Sequence, residues 1–166
     1  MLSGKTDCAI CGKEITESDF SIDGATVCDF TPDSEFGPEV SEFTHTLCRQ
    51  MESVREKTGV YPECGKGWAP LLLSLIEAIE KLEVPYIVGQ VKEKFGGLRF
   101  YWHIPMNAEL GKPLVDDPSR YARLQRLIDN AEQESFGICE VCGRPGSVRE
   151  EGWISTRCED HARKTR

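Results

Sequence analysis

The chain has 166 residues, a formal net charge of −8 and eight cysteines, and 39% of its residues are hydrophobic. That length makes one domain, or one core with small appended modules, and the hydrophobic share is too high for a disordered chain. The acidic balance disfavours broad nucleic-acid binding, which needs a basic face. No apolar leader opens the chain, and its most apolar run, WAPLLLSLIEAI, is broken by Glu77 and too short for a bilayer. A soluble cytoplasmic protein with no membrane partner is expected. In that reducing compartment the cysteines read as metal ligands or core residues rather than as a disulfide framework.

The first element is CAICG, with Cys8 and Cys11 in a C-x2-C pair, followed by His45 and Cys48 as H-x2-C in FTHTLCRQM. Two tightly spaced pairs of thiolate and imidazole suit a tetrahedral zinc ion. The preferred set is Cys8, Cys11, His45 and Cys48, with the second pair opening a helix through RQMESVREK. A competing set replaces His45 or Cys48 with Cys28; alternatively Cys28 is a small buried hydrophobe. Between the pairs, DFTPDSEFGPEVSEF reads as an acidic loop. Its Asp33, Glu35, Glu39 and Glu42 suit a basic protein partner or the mimicry of a nucleic acid, or they are simply solvated.

KTGVYPECGKG is a turn-rich break in which Cys64 packs inward. A helix then starts at Trp68, since Trp68, Leu71, Leu72, Leu75, Ile76, Ile79 and Leu82 recur every three or four residues. Pro85 ends it. Tyr86 to Lys92 and Leu98 to Ile104 form a hairpin with Gly96-Gly97 as its turn. On the second strand Leu98, Phe100, Trp102 and Ile104 share a core face against the 68–82 helix, while Arg99, Tyr101 and His103 point away. NAELGKPLVDD is a loop. Asp117 and Pro118 begin a second helix, buried through Tyr121, Leu124, Leu127, Ile128 and Ala131 and ending near 135–137.

The last segment carries Cys139, Cys142, Cys158 and His161 as C-x2-C-x15-C-x2-H. A tight turn aims the first two sulfurs at one ion, helped by Gly143. The second pair fits the first turn of a short EDHARKTR helix, where residues three apart share a face. SVREEGWISTR between them reads as a hairpin turning at Glu151-Gly152. The knuckle, hairpin and helix order resembles a treble-clef or zinc-ribbon module. All four positions are filled by protein, which is the mark of a structural site. Two structural zinc ions per chain are therefore expected.

ECGKGW at 63–68, QVKEKFGGLRFYW at 90–102 and AEQESFGICEVCGRPGSVREEGWISTRC at 131–158 are together similar to a group of small zinc-ribbon proteins of bacteriophages and prophages. The likeness covers roughly residues 60–166, and histidine stands at 161 where that group ends on a second C-x2-C. It implies a phage or prophage context and carries no activity over.

Within KEKFGGLRFYW, Lys92, Lys94, Gly96, Gly97, Arg99 and Tyr101 make a candidate anion or nucleotide site: cations and turn N–H groups for a phosphate, a ring for a base. The opposing reading is a tight hairpin with a solvated face. HARKTR is a second basic patch. A nuclease of the HNH type is disfavoured because SVREEGWISTR holds no histidine to activate water.

The resulting expectation is an α+β fold: a helix–hairpin–helix core at 61–136, flanked by zinc-stapled modules at 1–60 and 137–166. The expected function is non-catalytic: a phage-type accessory protein that binds a host or phage macromolecule, with a protein as the first choice of partner, in host takeover or counter-defence. Two alternatives stand beside it. One is nucleic-acid binding through Lys92, Lys94, Arg99 and the basic tail; the other is nucleotide binding or processing at the FGG turn. No feature of the sequence specifies an oligomeric state.

Overall fold

A computed structural model describes the backbone at residues 20–22, 25–27 and 38–162 except 110, 116 and 151, and side chains from residue 46 onward with the same exceptions. The chain divides into two compact units, Met1–Arg49 and Gln50–Arg166.

In the first unit β1 (Phe20–Ile22) pairs antiparallel with β2 (Ala25–Val27). Helix α1 spans Pro38–Thr58. Its start corrects the expected loop, whose last residues are already helical. Proline is tolerated in a first helical turn because its missing N–H has no partner there anyway. His45 and Cys48 accordingly lie inside α1 and do not open it.

The second unit holds the core. A 3₁₀ turn, Lys66–Trp68, leads into α2 (Ala69–Glu80). Trp68 thus precedes the α-helix expected to begin with it. Its ring is fully buried, and its Nε1 donates to the Ile138 carbonyl at 2.9 Å. Strands β3 (Ile87–Lys94) and β4 (Gly97–His103) form an antiparallel hairpin. Its two-residue turn is Phe95-Gly96, with φ of 55° and 78°, and Gly97 is already paired with Lys94. This shifts the expected Gly96-Gly97 turn by one residue. Two left-handed residues match the twist of the flanking strands, and Phe95 accepts the conformation although glycine is the usual occupant.

The 104–117 loop carries a small pairing of β5 (Met106–Asn107) with β6 (Lys112–Pro113). Helix α3 (Pro118–Ser135) begins as expected, with the Asp117 carboxylate accepting the Ser119 N–H at 2.9 Å. Tyr121, Leu124, Ile128 and Ala131 are buried on it. The core face of the hairpin packs with α2 as the alternation predicts, Leu98 and Phe100 sharing one buried cluster with Leu72, Ile76 and Ile79. Helix α3 in addition lies along β4 and packs on α2. The Leu98 N–H donates to Ser135 Oγ at 2.9 Å and the Phe100 N–H to Glu132 Oε1 at 3.0 Å. Side chains of α3 thereby take up donors that a strand edge would otherwise leave bare.

Strands β7 (Ser147–Arg149) and β8 (Ser155–Arg157) close the fold, followed by a single 3₁₀ turn at Glu159–His161. Among the described residues the expected EDHARKTR helix is reduced to that turn, and Ala162 is extended at φ −61° and ψ 133°. One hydrophobic cluster joins α2, β3, β4 and α3 through Trp68, Leu72, Ile76, Val91, Leu98 and Leu124, among others. The architecture is mixed helix with small antiparallel sheets, an α+β arrangement. Residues 61–136 and the described part of 137–166 share the unit Gln50–Arg166. No helix among the described residues is long and apolar enough to cross a membrane.

Candidate metal centre

The C-terminal unit is assembled on the ECGKGW segment. Gly67 donates its N–H to the Glu140 carbonyl at 2.8 Å, and the neighbouring indole of Trp68 holds Ile138. A Cβ on Gly67 would collide with the Cys139 carbonyl oxygen and lie 2.5 Å from the Gly143 nitrogen and 2.8 Å from the Cys142 nitrogen. Only a residue without a side chain lets the two backbones approach this closely. The Cys139–Gly143 turn closes through the Gly143 N–H on the Cys139 carbonyl at 2.8 Å, with Gly143 at the positive φ of 72° foreseen for it. A third tie comes from Thr156 on β8. Its hydroxyl, fully buried, donates to the Gly96 carbonyl in the β3–β4 turn at 2.6 Å.

This scaffold brings Cys139, Cys142, Cys158 and His161 together, with one ligand atom from each lying within 4.8 Å of all the others. Cys142 Sγ and Cys158 Sγ are 3.7 Å apart, far beyond the roughly 2.05 Å of a disulfide. His161 Nδ1 is 3.6 Å from Cys139 Sγ and 3.1 Å from Cys158 Sγ. Cys139 and Cys158 are buried, and Cys142 and His161 are half-buried. Such a donor set can hold a metal ion.

The electrostatics fit that use. Burial acts to raise the Cys139 thiol, but the backbone N–H groups of Cys158, Cys142 and Val141 outweigh it and bring it below its usual value. Burial pushes Cys142 upward, with Arg144 opposing. Burial, then the nearby Arg144 and Arg157 guanidinium groups, lower His161 and favour the neutral imidazole that binds metals. Arg144 Nε donates to Cys142 Sγ at 3.4 Å while its Nη2 pairs with Asp160 at 2.7 Å. Arg157 pairs with the buried Glu140 at 2.7 Å, and Arg149 with Glu159. Such outer partners fix the orientation of metal ligands.

Of the N-terminal set, Cys8, Cys11 and the side chain of His45 lie outside the described residues, as does Cys28, so that set has no described geometry. Cys48 is half-buried on α1. Cys64 is half-buried beside the core and is not one of the grouped ligands.

The residues of the candidate anion site are neighbours on one hairpin, but each has a local engagement. The Gly96 N–H donates to Glu93 Oε1 at 2.6 Å, so a carboxylate already fills the turn. Arg99 Nη1 donates to the Leu98 carbonyl at 2.6 Å and sits 3.6 Å from Glu132. Lys92 lies over the Tyr101 ring at 5.3 Å and Lys94 over Phe95 at 5.3 Å. Gly97 is buried against the Phe136 ring. Of the basic HARKTR tail, residues 163–166 lie outside the described residues.

Sequence reasoning missed Gly67, Trp68 and Thr156 as supports of the site, and Arg144 with Asp160 as its outer partners. Two glycines flanking a lysine before a tryptophan are the signal of close approach that the sequence carries there, beyond a turn. No family model, curated protein or solved structure matches the chain.

Proposed function

We propose that this is a zinc-stapled, non-catalytic protein of phage type whose function is to bind a macromolecule of the host or the phage. The carrying observation is the closed donor set of three sulfurs and one imidazole nitrogen. With Zn–S near 2.3 Å and Zn–N near 2.0–2.1 Å, a tetrahedral site has edges of about 3.8 Å between sulfurs and about 3.6 Å from sulfur to nitrogen. The separations of 3.7 Å and 3.6 Å match those edges, and the Cys158–His161 edge of 3.1 Å opens by about half an ångström on binding. A full protein shell leaves no position for a reactive water, so the ion's contribution is to folding. The ligands Cys139 and Cys142 sit on backbone that docks onto Gly67 and Trp68, so metal and core are stabilised together.

A second ion at Cys8, Cys11, His45 and Cys48 belongs to the same proposal, as do the cytoplasmic setting and the role in takeover or counter-defence. Elemental analysis of the purified chain tests it. Two zinc ions are expected. One ion that is lost in a Cys158→Ser variant would retain the C-terminal site and remove the N-terminal one. A metal-free chain that stays folded in a strong chelator would remove both.

A further inference from the structure

We infer that the C-terminal metal centre is also a redox switch: hydrogen peroxide closes Cys142 and Cys158 into a disulfide, and that bond takes over the ion's part in holding the module. The inference rests on the zinc reading of this site and adds its regulation. The register of the backbone sets the pair. The Glu140 N–H donates to the Thr156 carbonyl at 3.0 Å, and Cys142 and Cys158 each lie two residues beyond that bond. Their sulfurs are 3.7 Å apart. The C-x2-C spacing alone would pair Cys139 with Cys142 instead. Cys139 is fully buried, however, and its sulfur accepts the main-chain N–H groups of Cys158, Cys142 and Val141. A disulfide sulfur is a poorer acceptor than a thiolate, so drawing Cys139 into a bond would leave those buried donors under-matched. Cys142 is the ligand thiol that an oxidant reaches: it is half-buried, whereas Cys139 and Cys158 are buried. Arg144 Nε donates to its sulfur at 3.4 Å from a half-exposed side chain. A thiol bound to a metal is already a thiolate, the form that attacks.

The chemistry balances as two displacements. The Cys142 thiolate attacks one oxygen of hydrogen peroxide. An S–O bond forms, the O–O bond breaks, and the departing hydroxide takes a proton to become water. The Cys158 thiolate then attacks that sulfur. The S–S bond forms, the S–O bond breaks, and a second hydroxide leaves as water. Each sulfur gives up one electron and the peroxide gains two, with two protons drawn from solvent. The ligand set falls to Cys139 and His161, too few donors to keep the ion. The module stays seated, because its ties to the core do not pass through the metal. They are the Gly67 N–H on the Glu140 carbonyl, the Trp68 Nε1 on the Ile138 carbonyl and the Thr156 hydroxyl on the Gly96 carbonyl. The new bond also encloses the whole β7–β8 hairpin. A cross-link of that span constrains the unfolded chain more than one closing C-x2-C. In a reducing setting thiol exchange reopens it and the ligand set is restored.

The test treats the metal-loaded full chain with hydrogen peroxide at neutral pH. Zinc release is followed with a chromogenic chelator. Disulfides are mapped by mass spectrometry after the remaining thiols are alkylated in denaturant. Digestion after glutamate cuts at Glu140 and so separates Cys139 from Cys142. A peptide linking Cys142 to Cys158 is expected, with Cys139 alkylated and one more zinc ion released per chain than from Cys158→Ser. The linked chain should keep a cooperative thermal transition, at a higher Tm than the chelator-stripped reduced chain. A reductant with added zinc should remove the link and restore the metal. The proposal is overturned by a link to Cys139, by a sulfinic acid at Cys142 with no link, or by a linked chain that melts without cooperativity. Metal content is measured before oxidation. A zinc-loaded chain that forms no link sinks the switch and leaves the zinc reading in place. A chain purified without metal sinks the zinc reading, and the pairing then stands or falls on the peptide map.

Discussion

Replacing Gly67 with alanine adds one carbon at a crowded backbone crossing of the second unit. That carbon would overlap the Cys139 carbonyl oxygen and stand 2.5 Å and 2.8 Å from the Gly143 and Cys142 nitrogens. All three are main-chain atoms of the Cys139–Gly143 turn, so no side-chain rotation relieves the clash. The turn must lift away, lengthening the Gly67 N–H bond to Glu140 and the Trp68 Nε1 bond to Ile138, now 2.8 Å and 2.9 Å. Overpacking of this kind costs about 1–3 kcal/mol, and each lost hydrogen bond about 0.5–1.5 kcal/mol. The sum is about 2–6 kcal/mol. At about 2–4 °C per kcal/mol for a chain of this size, Tm should fall by roughly 5–20 °C. Thermal unfolding of the metal-loaded protein reads this directly. Zinc should also pass faster to a chromogenic chelator, since two ligands ride on the displaced turn. Gly59→Ala is the control: its Cβ meets nothing within 4 Å, and only the φ of 73° is unfavourable, a cost of about 1–2 kcal/mol. A Gly67→Ala protein with Tm within about 2 °C of the parent and unchanged zinc release would refute the docking argument.

Thr156→Val removes the hydroxyl that donates to the Gly96 carbonyl at 2.6 Å and leaves that buried oxygen without its donor, which should cost about 1–3 kcal/mol in urea unfolding. Cys142→Ser should lower zinc content by one ion per chain, whereas Cys64→Ser should leave it unchanged, because Cys64 is not among the four grouped ligands. Burial, then the charges of Glu140 and Glu93, raise the Cys64 thiol from 9.0 to about 12. Native alkylation at pH 8 followed by mass spectrometry should therefore find Cys64 unmodified. The sign of the linkage follows: the unfolded thiol ionises first, so this group's contribution is complete below pH 9 and is lost as pH rises towards about 12. Chemical denaturation at pH 8 and pH 10 should show stability falling, and a rise would contradict the burial of this thiol.

Much of this protein is local and therefore legible. The three-and-four recurrence from Leu72 to Ile79 specifies α2, because a helix must bury one stripe. The alternation from Leu98 to Trp102 specifies β4, because a strand turns successive side chains to opposite faces. The two paired spacings at Cys139–Cys142 and Cys158–His161 name a metal site, because each pair converges on one ion through a single turn of chain. The tertiary structure decided what touches what. It laid α3 along β4, used Gly67 as the seat of the knuckle and tied Thr156 to the β3–β4 turn. Periodicity and spacing are properties of neighbouring residues, and the chain's own geometry enforces them. Contacts between residues tens of positions apart depend on which surfaces fit, and a glycine or a threonine in a sequence signals that something approaches closely without saying what.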